Sequence, residues 1–257
     1  MPLRQKHNAI FCLCKTICIT ISIHSSVTAL AFSPCLCLFW TLNVKGAGFM
    51  KLFIFDMGGV VTSNVACIPE MAASLGIGVD AFFRGTLADP SDIRTSPYNT
   101  GDIAELMKGT ISPGTFWTRF NARTGLAVQE DLWAAFFRPE PDEGTYAVIA
   151  ALRSNGWRVV CGTNTMHAHY ESHLACKHYA CFDAVYASHR MGVIKPDPAF
   201  WHCILDAESC EPNEAFFTDD DAGNVRAAGE LGLRAQLFVD SSTLAASLGE
   251  WTGKRRV

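Results

Sequence analysis

The stretch Lys51-Leu52-Phe53-Ile54-Phe55-Asp56-Met57-Gly58-Gly59-Val60-Val61 limits the possible folds more than any other part of the chain. Leu52 to Phe55 is an unbroken apolar run rich in β-formers, which predicts a strand buried on both faces of a parallel sheet. The run stops at a single carboxylate, Asp56. Open α/β sheets bind their ligands at the carboxyl ends of strands, so Asp56 is delivered to a binding edge. Gly58 and Gly59 follow at once, and without a Cβ their backbone N–H groups can approach an anion closely. Asp-x-Gly is also an ordinary turn, so the stretch needs support from elsewhere.

Three later stretches give that support. Trp157 to Thr165 reads as a second apolar strand ending in hydroxyl and amide side chains, Thr163 and Asn164 among them. Gly192 to Pro198 holds a lone lysine, Lys195, immediately before a proline. Ala215 to Asp221 reads as a third strand ending in Asp219, Asp220 and Asp221. Alone, Thr163 reads as a helix N-cap, Lys195 as a surface lysine and the acidic triplet as a solvated loop. Their shared position at strand ends changes that reading. From Pro141 onward, helical and strand patterns alternate, with helices at 142–154, 166–178, 199–208 and 222–231 and strands at 157–161, 184–187, 215–218 and 235–239. This predicts a doubly wound, Rossmann-like α/β core built on a parallel sheet, with every polar candidate on one edge.

The order Asp56, Thr163, Lys195, paired Asp resembles the haloacid dehalogenase superfamily of hydrolases over about residues 50 to 240. The resemblance implies that Asp56 is a nucleophile that becomes an aspartyl-phosphate. It implies that Thr163 and the Asn164 N–H donate to phosphoryl oxygens, and that Lys195 bridges nucleophile and phosphate. Three adjacent aspartates gather too much charge to sit unpaired, and a hard cation with oxygen ligands answers it. Mg²⁺ held by Asp56, the Gly58 carbonyl and Asp220, with Asp219 acting through water and Asn224 behind, is what the resemblance implies. Phosphatases of this superfamily carry a second Asp two residues after the nucleophile, where this chain has Gly58. Loss of a general acid costs about 10²–10⁴ in rate, so activated leaving groups suffer least. The Asp-x-Gly-x-Val form of the motif resembles a branch that includes glucose-1-phosphate phosphatases, which points to a sugar phosphate.

Residues 63–138 read as helices broken by Gly and Pro, with Ser112-Pro113 as a helix start. They resemble the family's small helical cap, inserted between core segments 50–62 and 139–257. The aromatics Phe82, Phe83, Phe116, Trp117, Phe120, Trp133, Phe136 and Phe137 are expected to fill the cap's own core. His167, His169, His173 and His178 match no standard zinc spacing and are expected to be exposed near the pocket mouth, with His167 reaching substrate.

Residues 1–50 contain four basic residues and no acid, which leaves 17 basic against 25 acidic residues in the rest. A body with net charge −8 disfavours nucleic acid and membrane surfaces as partners. Residues 1–49 read as an extension outside the fold: a mis-assigned start before Met50, a signal ending near Ala29-Leu30-Ala31, or a membrane anchor. The remaining cysteines, Cys67, Cys161, Cys176, Cys181, Cys203 and Cys210, lack disulfide spacing and indicate reduced thiols, in keeping with a cytoplasmic enzyme. The expected activity is a magnesium-dependent phosphatase of a small phosphorylated metabolite. A dehalogenase, a phosphonatase using Lys108, or a non-catalytic binding module are the alternatives.

Overall fold

Leu52 to Phe55 form β1, with all four side chains at most 1% exposed. The computed structural model describes residues 50–89 and 97–251, and the extension expected at residues 1–49 lies outside the described residues. After β1 (Leu52–Phe55) come a short strand β2 (Thr62–Ser63) and the helices α1 (Ile68–Ser74), α2 (Val79–Gly85), α3 (Gly101–Met107), α4 (Pro113–Thr124) and α5 (Leu132–Phe136). A return strand β3 (Glu140–Pro141) leads to α6 (Glu143–Ser154), β4 (Arg158–Thr163), α7 (His167–Ala175), β5 (Ala184–Ala187) and α8 (Ser188–Met191). The described chain ends with α9 (Pro198–Glu208), β6 (Ala215–Asp219), α10 (Ala222–Glu230), β7 (Arg234–Leu237) and α11 (Ser241–Trp251). No helix among the described residues is long and apolar enough to cross a membrane.

The sheet runs β5-β4-β1-β6-β7 with every pair parallel, so β1 lies at its centre. Alternation along β1 fills both layers. Phe53 and Phe55 pack with Ile149 and Leu152 of α6 and Leu244 and Leu248 of α11. Leu52 and Ile54 pack on the other side with Phe200, Trp201 and Ile204 of α9. Burying such a side chain contributes about 1.5–3 kcal/mol, so the strand that carries Asp56 is among the parts hardest to move.

The helical insert between β2 and β3 has its own apolar cluster, with Phe82, Phe116, Phe120 and Ile103 all fully buried. Helix α4 starts as predicted, with Ser112 Oγ accepting from the Thr115 N–H at 3.1 Å and Pro113 in the first turn. The insert's two connections pair antiparallel as β2 and β3, a feature too short to leave a pattern in the sequence. At the other end, β7 stops at Leu237 because Val239 is 70% exposed and Asp240 accepts from the Thr243 N–H at 2.7 Å, opening α11. That helix is 11 residues long, and its Leu244 and Leu248 complete the layer under β1.

Candidate functional site

Strand register assembles the polar residues. Phe55 stands opposite Cys161 of β4 and Thr218 of β6. One residue further along, Asp56 therefore meets Gly162 on one side and Asp219 on the other, and the Asp56 N–H extends the ladder to the Thr218 carbonyl at 3.0 Å. Adjacent strands lie about 4.8 Å apart, close enough for carboxylates at neighbouring strand ends to share one cation. An oxygen from each of Asp56, Asp219 and Asp220 lies within 4.8 Å of the others, the one such group of three acidic, His or Cys side chains among the described residues.

Lys195 reaches this rim from the loop between α8 and α9. Its Nζ donates to Asp56 Oδ1 and Asp219 Oδ2, each at 2.6 Å, and to the Gly162 carbonyl at 3.1 Å. The residue is 1% exposed. Burial pulls the ammonium down, but Asp219 and Asp56 together outweigh it and hold the pKa above the usual lysine range. Lys195 is therefore charged, with all three donor hydrogens engaged. Burial raises the Asp56 carboxyl to about 7, with Lys195 opposing and the Asp219 charge adding.

Asn164 positions this lysine. Its side-chain amide donates to the Lys195 carbonyl at 3.0 Å and accepts from the Lys195 N–H at 2.8 Å, a two-point clamp on the backbone. Sequence reasoning gave Asn164 only a backbone contact to phosphate, because a pairing between residues 31 apart leaves no local signal. Thr163 does not cap a helix; it ends β4 and is 3% exposed. Its hydroxyl lies 3.5 Å from the Asn164 carbonyl, too long to hold it, so the hydroxyl remains available to a ligand.

Asp219 is the most deeply held carboxylate of the three, accepting from Lys195, from the Asp221 N–H at 2.8 Å and from Asn224 Nδ2 at 3.1 Å. Asp220 is exposed toward the cavity, and partial burial with the neighbouring Asp219 charge raises its carboxyl. Asp221 caps α10 through the Gly223 and Asn224 N–H groups. Gly59 has φ +80°, and a Cβ there would overlap the Asp220 carboxylate, so glycine is required for that approach. Gly58 lines the cavity and bridges to Thr62.

Above this floor lies a cavity of about 310 Å³. Trp133 and Phe137, expected only in the insert's core, also line it, because α5 and the residue after it fold back over β4's end. His169 and His173 are likewise in its wall and not exposed at a mouth: His173 is 3% exposed, and His169 stacks on Phe137 with ring centroids 3.8 Å apart. Burial lowers both to a pKa of about 3, which keeps the rings neutral. His167 is exposed, faces Glu171 at 3.8 Å and does not line the cavity. No zinc-type cluster of histidines and cysteines occurs among the described residues, and the six cysteines there are free thiols. Ser188 joins insert to rim, accepting from the Thr165 N–H at 2.8 Å and donating to the Met107 carbonyl at 2.7 Å.

Comparison with known proteins finds relatives in sequence and in fold. The chain is 26% identical over 209 residues to mouse acyl-CoA dehydrogenase family member 10, covering 76% of this chain but 18% of that protein. It is 22% identical over 227 residues to mouse bifunctional epoxide hydrolase 2, of which it spans 39%. A sesquiterpene phosphatase of Aspergillus oryzae is 25% identical over 210 residues, 79% of this chain and 97% of that one. A haloacid dehalogenase family enzyme of Bacteroides thetaiotaomicron, solved with magnesium and inorganic phosphate, shares the fold at TM-score 0.56 and 21% identity, over 74% of this chain and 95% of its own. A predicted haloacid dehalogenase-like family hydrolase of Porphyromonas gingivalis does so at TM-score 0.63 and 20% identity, over 79% and 98%. Residues 50–232 match the haloacid dehalogenase-like hydrolase family, and the chain belongs to it.

Proposed function

We propose that the chain is a magnesium-dependent phosphatase that hydrolyses a small phosphorylated metabolite through an aspartyl-phosphate on Asp56. The observation that carries this reading is the buried Lys195 ammonium, held 2.6 Å from both Asp56 and Asp219 at the rim of the sheet. Three carboxylates against one ammonium leave the rim formally at −2, which a divalent cation offsets. The glycine cradle at Gly59 admits Asp220 to the same place. Asp56, the Gly58 carbonyl and Asp220 would hold Mg²⁺, with Asp219 behind a water. When bound, the ion supplies positive charge against the phosphoryl oxygens. The sesquiterpene phosphatase and the magnesium–phosphate complex among the relatives support the same chemistry.

In this reading an Asp56 oxygen attacks phosphorus and the ester oxygen leaves with the bonding pair. The Thr163 hydroxyl and the Asn164 N–H donate to the phosphoryl oxygens. Lys195 keeps its proton and holds the nucleophile in place, and Asn164 holds Lys195. Water then attacks the aspartyl-phosphate, releasing inorganic phosphate and restoring Asp56. Gly58 offers no acid, so the leaving oxygen takes its proton from solvent, and good leaving groups turn over fastest. The helical insert is the cap that covers the cavity and excludes bulk water.

The test is phosphate release from 4-nitrophenyl phosphate, sugar phosphates and alkyl phosphates, with magnesium, with chelator and with Asp56→Asn. Release that requires magnesium and vanishes in Asp56→Asn is the expected result. Halide release without metal would replace the reading with a dehalogenase, and ligand binding without turnover would replace it with a binding module.

A further inference from the structure

The floor of the cavity is polar and its wall is not. Val65, Ile68, Met107, Trp133, Phe137 and Met166 supply most of that wall. The charged side chains lining the cavity are Asp56 and Asp220, both at the floor. The wall's polar side chains are few: Cys67, Tyr98, the Trp133 indole N–H and two histidines that each have a ring nitrogen paired. His169 lies face to face on Phe137 at 9°, with Nε2 3.9 Å from Cys67 Sγ. His173 Nδ1 pairs with His178 Nδ1 at 3.0 Å. Both rings stay neutral at physiological pH because burial holds them near 3.

A sugar entering this space would exchange water for a wall with little to bond its hydroxyls. Each hydroxyl stranded there costs about 5- to 150-fold in affinity. An apolar group gains instead, at about fourfold for each methylene buried. A volume of about 310 Å³ sits at the small end of cavities that hold small molecules, so the group is compact. Resting on the phosphatase reading above, we infer that the substrate is the phosphate monoester of a compact apolar alcohol or phenol, held by the Val65, Ile68, Met107, Trp133, Phe137 and Met166 wall, and not a sugar phosphate.

Straight-chain alkylphosphonates from methyl to octyl test this on the full chain with magnesium, by calorimetry. They have no ester bond, so they report binding independently of turnover. Affinity is expected to climb about fourfold per methylene until the cavity is full. The phosphonate analogue of glucose 1-phosphate is expected to bind at least tenfold more weakly than hexylphosphonate. Met107 is partly exposed and close in shape to glutamine. Met107→Gln should therefore cut the octyl-to-methyl affinity ratio about tenfold, and an unchanged ratio counts against this wall. A flat ladder, or a sugar analogue that outbinds hexylphosphonate, overturns the inference while magnesium-dependent release from aryl phosphates leaves the phosphatase reading standing. A rising ladder without phosphate release from any ester supports the apolar pocket and removes only the catalytic reading.

Discussion

Replacing Gly58 by aspartate puts a proton donor beside the leaving group, where the chain now has none. Gly58 tolerates a side chain, because its φ is not positive and a Cβ there would meet nothing nearer than Val65 Cγ2 at 3.5 Å. Asp56, Asp219 and Asp220 crowd the same rim, and their charge raises the pKa of a fourth carboxyl. A general acid contributes about 10²–10⁴ in rate, or roughly 3–5 kcal/mol of barrier. The added negative charge next to an anionic substrate gives part of this back. The expected net gain is about 10²-fold in kcat for an alkyl phosphate, whose leaving oxygen needs a proton. For 4-nitrophenyl phosphate, whose leaving group departs unprotonated, the gain is under about tenfold. Steady-state kinetics on both esters, with Gly58→Asn as the shape-matched variant that cannot transfer a proton, decide the matter. If Gly58→Asp were no faster than Gly58→Asn on the alkyl phosphate, or sped both esters equally, the assignment of position 58 to the leaving-group side would be wrong.

Gly59→Ala, one residue on, should abolish magnesium-dependent activity and cost about 1–3 kcal/mol, since it combines φ +80° with overlap on Asp220; chemical denaturation and a turnover assay read the two effects. Asn164→Ala removes both points of the clamp on Lys195 and is expected to lower kcat about 10–10²-fold while the melting temperature falls only modestly. Lys195→Met leaves the acidic rim without its ammonium and should destabilise the fold by about 3–5 kcal/mol, a loss that added magnesium partly restores in a thermal melt. His169 and His173 have folded pKa values near 3, below the unfolded value of about 6.5. Their contribution is therefore complete above pH 6.5 and is lost as pH falls toward 3, at about 2 kcal/mol each by pH 5. Urea titrations at pH 7 and 5 should show that His169→Gln shrinks the acid loss by that amount; comparing variant with parent cancels Asp56, whose raised pKa works in the opposite direction.

The strands expected at 52–55, 157–161 and 215–218 announced themselves because a strand dry on both faces must be apolar throughout, and the first polar residue then marks its end. The alternation after Pro141 gave the layered architecture for the same reason, and Asp56, Lys195 and Asp220 could be picked out as chemistry stranded at those ends. Helices in the insert were legible too, through the Gly and Pro breaks and through Ser112-Pro113 as a helix start. What local pattern does not encode is which side chains meet across the chain. Asn164 clamps a backbone 31 residues away, and Asp219 became the best-held carboxylate of its triplet through Lys195 from a distant loop and Asn224 from α10. Trp133, Phe137, His169 and His173 look like any buried aromatics or helical histidines until α5 and α7 face each other over the sheet. The sequence by itself determined a buried parallel sheet with carboxylates at one edge, because burial fixes composition strand by strand. Only the tertiary structure decided which of those groups Lys195 joins and how apolar the space above them is, because both depend on contacts between residues far apart in the chain.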